Sequence, residues 1–395
     1  MKILYVAEWY PYMSAKVTHS IAQRLSKMGC EVVVLTSDID LNGRRGLLPR
    51  DQTIDGVTVK RMGATRITTS SIPYVFYNPI SIVRRRRAIT REIDDADIIH
   101  SQTIHGMLNI GIDSLLILQR HATKLVVGSH GIPSYNSIGS WIGFGLWNVL
   151  MRQIATKSRL VFTVSKSSVP TLVKLGIAQD RIRHIPNGVD CSTFAPSIDN
   201  RQSFRQRLGL NNDDVLVMSL GQIRAAKGIA VLLESIPEIL ASNSRVKVLI
   251  AGSGPMAPLV LQWTNQQPKL IKDKIILMPR NITEPELPQF FAACDIFVLP
   301  SYWEGSPLSL LEAMACGACP VASRVGDIPQ TIENGVNGYL VEPGNSKELA
   351  RIISHLALDS ELRQSLGRAS AQTAMSYSWD TIAKQYYDSY ASIVR

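Results

Sequence analysis

Two glutamates stand in an otherwise small and apolar stretch, EGSPLSLLEAM, as Glu304 and Glu312. The residues ahead of it, CDIFVLPSYW, read as a buried strand, and ACGACPVAS after it leads into another. A carboxylate in such surroundings must find hydrogen-bond donors or its burial is strongly unfavourable. Ser306-Pro307 reads as a helix start, with Ser306 as the N-cap and Pro307 at the first helical position, where no N–H is needed. The helix then runs through Met314, and the amides of Leu308 and Ser309 leave its N-terminus as an anion site. One short stretch thus offers amides for a phosphate between two carboxylates. Sugar and ribose hydroxyls are the donors those carboxylates lack.

Such a stretch needs a scaffold. Short apolar runs alternate with helical patterns: KILYVA, EVVVLTS, VTVKRM, DIIHS, KLVVGSH and RLVFTVS, then VLVMSLG, RVKVLIAGSG, IILMP, DIFVLPS, CPVAS and GYLVEP. Near-continuous apolar strands alternating with helices predict parallel sheets covered on both faces, an α/β doubly wound fold built twice. Punctuation at Pro186, Asn187-Gly188 and Pro196 predicts a boundary inside residues 184–197. The domains are read as 1–190 and 191–378. A last helix over 379–395 lies against either of them, with a crossing back to the first domain as one of the two arrangements. In such sheets ligands bind outside the carboxyl ends of the strands, and two facing domains make a cleft. Residues that follow strands are therefore the candidates: Lys227 in GQIRAAKG, Gly252 and Gly254 in AGSGP, His130 after KLVVGS, and more weakly His100 and His105. Taken alone, Lys227 reads as a solvated helix-end lysine; its flanking glycines favour a site. An isolated His130 reads as a loop or core histidine. His100 and His105 either line an acceptor side or satisfy backbone groups.

The chain has 395 residues, enough for two domains, and is 45% apolar and 19% charged, which excludes disorder. Its opening, MKILYVA, reads as a strand and not as a leader, and no apolar run reaches the roughly 18 residues of a membrane span. Five scattered cysteines fit a reducing cytoplasm. The net charge of +10 is lopsided. Residues 1–190 hold 24 Lys and Arg against 13 Asp and Glu, and the remainder 18 against 19. Arg84-Arg85-Arg86-Arg87, beside Ile72, Tyr74, Val75, Phe76, Tyr77 and Ile80, has the composition of a peripheral membrane patch, with a solvated helix face as the plainer reading. The same holds for the aromatic stretch YNSIGSWIGFGLW at 135–147. An anionic membrane surface is the expected partner, and no nucleic-acid motif is present.

The string PSYWEGSPLSLLEAMACGACPVAS, with IPNGVD at 185–190, GQIRAAKG at 221–228, AGSGP at 251–255 and GDIPQTIENGVNGYLVEPGN at 326–345, resembles the retaining GT-B glycosyltransferases of family 4, the glycosyl transferases group 1. The likeness is strong in the second half and looser in the first. It implies a GT-B fold, two Rossmann-like domains facing a central cleft. It implies transfer of a sugar from a nucleotide diphosphate sugar, UDP- or GDP-linked, to a hydroxyl of a lipid-linked or polysaccharide acceptor. The expected setting is cell-surface glycan synthesis, in the cytoplasm and peripherally on the inner face of the membrane. By the same resemblance His130, Lys227 and Glu304 are catalytic. Glu304 and His130 hold the sugar, Lys227 neutralises the leaving diphosphate, and Glu312 holds the ribose. Gln222, Arg224, Gly252, Gly254, Arg280 and the Gly305, Ser306, Pro307, Leu308, Ser309 segment bind the donor. Ala15, Lys16, His100 and His105 lie on the acceptor side. The acceptor hydroxyl attacks on the face the diphosphate leaves, a phosphate oxygen takes its proton, and no cofactor or metal is required.

Three places depart from that family's pattern. Ala15-Lys16 replaces a glycine pair in the first loop, so either Lys16 supplies a cation or the loop stands farther off. Gln222 replaces the usual arginine near Lys227, and Arg224 is two residues away. Arg280 replaces a glycine near the base. Such changes are compatible with either altered donor choice or weakened catalysis. Two other readings on related lines stay open: another GT-B enzyme, an epimerase or phosphorylase, and a non-catalytic membrane- or polyanion-binding relative. Asp38-Ile39-Asp40 imitates a metal-binding carboxylate pair, Cys316-x-x-Cys319 a redox motif and AGSGP a dinucleotide fingerprint, but spacing or context argues against each.

Overall fold

The computed structural model describes residues 1–7, 10, 16–38, 48–68, 73–77, 87, 89–102, 120–129 and 153–394, with the backbone alone at 64–68 and 73–77. The chain divides into two units, Met1–Pro186 with Trp379–Arg395, and Asn187–Ser378.

The first unit holds β1 (Lys2–Val6), β2 (Glu31–Ser37), β3 (Asp51–Ile54), β4 (Val57–Met62), β5 (Ala64–Thr68), β6 (Pro73–Tyr77), β7 (Ile98–Ser101), β8 (Leu125–Ser129), β9 (Leu160–Thr163) and β10 (Ile182–His184). Eight of them form one sheet in the order β10-β9-β8-β7-β1-β2-β4-β3. Its pairings are parallel except β3 with β4. That hairpin turns on Asp55-Gly56, both at positive φ (49° and 80°), the twist that two-residue hairpins favour. β5 and β6 pair antiparallel as a separate ribbon. The aromatic run read as a membrane patch therefore has a strand backbone over Pro73–Tyr77. Arg87 is exposed; Arg84–Arg86, Ile72, Ile80 and residues 135–147 lie outside the described residues.

One face of this sheet packs Leu4, Val6, Val33, Leu35, Ile99 and Val127 into a core. The opposite face carries Tyr5 and, at the paired position on β7, His100. The last helix, Trp379–Val394, closes over them. Tyr390 Oη lies 2.8 Å from Tyr5 Oη and 2.5 Å from His100 Nδ1. The His100 ring also packs on Tyr5, Phe162 and Tyr386 at centroid distances of 4.7, 5.6 and 5.9 Å. This corrects the acceptor-side reading of His100. It is 2% exposed, and its polar edge is used to satisfy a buried tyrosine pair. Arg24 Nε donates to Asp380 Oδ1 at 3.0 Å and clips the helix Lys16–Lys27 to the start of that last helix.

The second unit holds β11 (Val215–Leu220), β12 (Val246–Ala251), β13 (Ile275–Met278), β14 (Ile296–Leu299), β15 (Cys319–Ser323) and β16 (Tyr339–Val341). All pair in parallel, in the order β13-β12-β11-β14-β15-β16. Along β11, Val215 and Val217 enter one core and Leu216, Met218 and Leu220 the other. Alternate side chains of a strand point to opposite faces, so a sheet covered on both needs an unbroken apolar run. Each fully buried Leu, Ile or Phe contributes about 1.5–3 kcal/mol of transfer free energy. Strand order reverses between β11 and β14. The loops leaving these two neighbours diverge to opposite sides and open a crevice at their carboxyl ends.

Below the sheet, at the amino end of β14, Asp295 anchors the unit. Arg201 and Arg205 donate to its two oxygens at 2.6 and 3.1 Å, and the Leu216 amide adds a third bond at 2.7 Å. Arg205 is buried and also donates to the carbonyls of Ala293, Asn211 and Asp214.

Candidate active site

The two loops at the β11/β14 switch point carry Lys227 and Glu304. After β11 the chain passes Gly221-Gln222-Ile223-Arg224 into a single turn, Ala225–Lys227. Gly228 ends that turn at φ 66°, and a Cβ there would lie 1.8 Å from the Pro300 carbonyl oxygen. Only glycine allows this approach. The Tyr302 amide donates to the Ala226 carbonyl at 2.9 Å and locks the two loops together. Lys227 Nζ is thereby placed 2.7 Å from Glu304 Oε1. Ser301 Oγ donates to the same oxygen at 2.6 Å. Glu304 is 5% exposed, and these two donors are its partners inside the protein. Glu304 Oε2 has none among the described residues. Lys227 carries three N–H donors and spends one on Glu304.

The helix over EGSPLSLLEAM begins later than its sequence implies. It spans Leu308–Ala315, with Pro307 at the N-cap position and no side-chain cap. Ser306 does not cap it. Its Oγ accepts from the Asn187 amide at 3.0 Å, and its carbonyl accepts from Asn187 Nδ2 at 2.7 Å. A residue before proline is disfavoured in helical backbone, consistent with a helix that starts only at Leu308. The first amides of the helix have no intrahelical acceptor. Ser309 lines a cavity of about 170 Å³ with Gln222, Arg224, Lys227 and the ends of β11, β12 and β14. Glu312 lies one turn beyond Ser309 on the same helix face and is 4% exposed.

Gly252 and Gly254 follow β12. A Cβ on Gly252, at φ 132°, would lie 1.8 Å from the Gly221 carbonyl oxygen, so the AGSGP turn rests directly on the loop leading to Lys227. Arg280, past the end of β13, is exposed and forked onto Glu286 at 2.6 and 3.1 Å. The Thr283 amide and hydroxyl donate to Glu286 as well, and with Arg280, the largest influence, they hold its carboxyl down to about 2.

The second unit thus brings together Lys227, Glu304, Gly305, Ser306, Pro307, Leu308, Ser309 and Glu312, with Gln222, Arg224, Gly252 and Gly254 around the same loops. Arg280 stands at the neighbouring strand end. In the first unit Lys16 opens its helix and is half-buried. Ala15, His105 and His130 lie outside the described residues. Two contributors were missed in the sequence: Ser301, which looked like the end of a strand, and Asn187, which looked like turn punctuation. The serine before a carboxylate loop and the Asn-Gly of IPNGVD were the available signals.

Other candidate chemistry recedes. Burial pushes the Cys316 and Cys319 thiols up to about 12, with Glu312 adding to the shift at Cys316, so neither is a ready nucleophile. Among the described residues no cluster of His, Cys, Asp or Glu could hold a metal. A larger groove of about 1430 Å³ opens at the amino ends of β11, β14 and β15, the edge opposite to Lys227 and Glu304.

The chain is similar to known proteins along nearly its whole length. Residues 200–373 match the family described as "Glycosyl transferases group 1", and residues 14–193 match "Glycosyltransferase Family 4". A D-inositol 3-phosphate glycosyltransferase of Xylanimonas cellulosilytica is 30% identical over 249 residues, 62% of this chain and 59% of that protein. The chain thus spans somewhat under two thirds of the length of this curated relative. A sucrose-phosphate synthase from Thermosynechococcus elongatus superposes with a TM-score of 0.79 at 19% identity, over 99% of this chain and 98% of the other. Anabaena HepE in complex with UDP-glucose does so at 0.75 and 20%, over 99% and 100%. Two Rossmann-like units of this kind are the GT-B fold, and the chain belongs to the group 1, family 4 glycosyltransferases, a family of sugar-transferring enzymes.

Proposed function

We propose that this protein transfers a sugar from a nucleotide diphosphate sugar to an acceptor hydroxyl with retention of the anomeric configuration. The observation that carries the reading is the Lys227–Glu304 pair at the β11/β14 switch point, beside the amino end of the helix Leu308–Ala315. Lys227 and the helix amides face the diphosphate, where negative charge grows as the glycosidic bond breaks. Glu304 Oε2 accepts from a sugar hydroxyl, and Glu312 from the ribose. The acceptor oxygen bonds to the anomeric carbon on the face the diphosphate leaves, and its proton passes to a departing phosphate oxygen. The protein contributes positioning and fixed charge. The UDP-glucose complex of HepE and the names of the relatives support a nucleotide-sugar donor, UDP- or GDP-linked.

A lipid-linked or glycan acceptor, and work at an anionic membrane surface in cell-surface glycan assembly, complete the proposal. The charge asymmetry of the chain and the exposed Arg87 support this part. Among the described residues no helix is long and apolar enough to cross a membrane.

Thermal unfolding in the presence of UDP-, GDP- and ADP-sugars tests the donor site. A ligand that binds the native state alone must stabilise it. One nucleotide class is expected to raise Tm in the wild type and not in Glu312→Ala. A panel without any shift would refute the site.

A further inference from the structure

We infer that Ser301 is a positioning residue of the donor site, one that lets Lys227 turn from Glu304 to the diphosphate without abandoning a buried carboxylate; the inference rests on the donor-site reading above. Lys227 Nζ and Ser301 Oγ both donate to one carboxylate oxygen, Glu304 Oε1, at 2.7 and 2.6 Å. Lys227 lines the 170 Å³ cavity at the strand ends and Ser301 does not. The hydroxyl is therefore placed to act on the carboxylate and not on a nucleotide.

The three groups differ in their freedom to move. Ser301 is fully buried, so no water competes for its hydroxyl. Its neighbours are clamped to the Lys227 loop, Pro300 by the close approach of its carbonyl to Gly228 and Tyr302 by its amide on the Ala226 carbonyl. The Glu304 backbone is held from the other side. A Cβ on Gly326, at φ 57°, would lie 2.1 Å from the Glu304 carbonyl oxygen, and the Asp327 amide donates to the Gly305 carbonyl at 3.0 Å. Lys227 is the movable member. Its side chain is 26% exposed against 6% for Glu304, and its ammonium rides on a flexible stem.

A diphosphate is a second anion competing for that one ammonium. As Lys227 turns toward it, Glu304 Oε1 loses its cationic donor. Taking one partner from a buried pair is strongly unfavourable when the remaining charge is left unanswered. Ser301 lowers that penalty, because its hydroxyl stays on Oε1 and keeps the carboxylate bonded and aimed. Ser301 thus strengthens diphosphate binding from outside the nucleotide site. In the unliganded chain Lys227 still holds Glu304, so the loss of Ser301 is felt chiefly when the nucleotide binds.

Isothermal titration of the full chain with UDP, GDP and ADP tests this as a double-mutant cycle. For the diphosphate that the wild type binds, Ser301→Ala is expected to weaken affinity about tenfold, the scale of a hydrogen bond to a charged group. In a Glu304→Gln chain the same Ser301→Ala change should weaken affinity clearly less, because a neutral amide left by the lysine is far easier to bury than a carboxylate. Each titration is run below the thermal transition of its variant, so that global unfolding does not enter. Equal losses with and without Glu304→Gln would overturn the inference, by showing that Ser301 acts on the fold and not through the carboxylate. Wild-type affinity in Ser301→Ala would overturn it too, by showing that Lys227 serves carboxylate and diphosphate at once. A wild type that binds none of the three nucleotides would sink the donor-site reading and the inference with it.

Discussion

Lys227 Nζ and Glu304 Oε1 lie 2.7 Å apart at the ends of two adjacent parallel strands, 77 residues apart in sequence. Each limits the other. The carboxylate neutralises part of the ammonium, and the ammonium makes a nearly buried carboxylate tolerable. Removing either member should therefore have opposite effects on nucleotide binding and a common effect on turnover. Lys227→Ala is expected to weaken nucleoside diphosphate binding and to lower kcat by about 100-fold or more, the usual scale for losing a transition-state charge partner. Glu304→Gln should bind the free diphosphate as well as or better than the wild type, yet turn over the sugar donor poorly. Calorimetry with the diphosphate beside steady-state kinetics with the sugar donor separates the two. Parallel losses in both variants would contradict this division of roles.

Gly228 holds that pair together from outside it. An alanine there meets both a left-handed backbone, at about 1–2 kcal/mol, and the Pro300 carbonyl oxygen at 1.8 Å. Gly228→Ala should lower stability measurably in denaturant titration and cut donor affinity more than Gly335→Ala, a control at φ 80° whose Cβ meets nothing within 4 Å. Equal donor affinity in the two variants would show that the loop contact does not position Lys227.

Arg205 tests the scaffold apart from the chemistry. It is buried and bonded to Asp295 and three carbonyls, far from the carboxyl ends of the strands. Arg205→Ala leaves Asp295 with Arg201 and the Leu216 amide, and removes the Arg205 donors from the carbonyls of Ala293, Asn211 and Asp214, of which Ala293 keeps Arg201 and Asn211 keeps the Asp214 amide. A loss of about 3–5 kcal/mol is expected, as for a broken buried ion pair. Below the shifted transition, donor affinity should stay near that of the wild type. A loss under 1 kcal/mol would mean that water replaces the guanidinium without penalty.

The buried thiols give a dependence on pH. Cys316 and Cys319 are pushed from an ordinary value of 9.0 up to about 12 by burial. Between those values the unfolded chain has lost protons that the folded chain keeps, so stability falls as pH rises through this window. Each thiol contributes up to about 1.4 kcal/mol per pH unit. Urea titrations from pH 8 to 10.5 should show a shallower decline in Cys316→Ala/Cys319→Ala than in the wild type. Matching slopes would show that these thiols ionise freely in the native state.

Much of this protein was legible in its residues. Both cores of the second unit are written in β11 and β14 as near-continuous apolar runs, because each alternate side chain has a covered face to enter. The Glu304–Glu312 stretch stood out because carboxylates among leucines and alanines need a reason. Local signals stopped at the helix entrance. Ser306 before Pro307 has the composition of a cap, yet its oxygens answer Asn187, more than a hundred residues earlier. The sequence leaves His100 either on an acceptor side or satisfying backbone groups. Its fate was decided by the last helix, which brings Tyr390 onto it from 290 residues away. The β5–β6 ribbon was hidden for a similar reason, since an aromatic, β-branched run has the same composition on a membrane patch and in a strand. Residue types and spacing determined the sheets and the strand ends. Which side chains meet at those ends, Lys227 with Glu304 and Ser301, Ser306 with Asn187, only the tertiary structure decided, because pairings between loops of distant strands depend on strand order and not on neighbours in sequence.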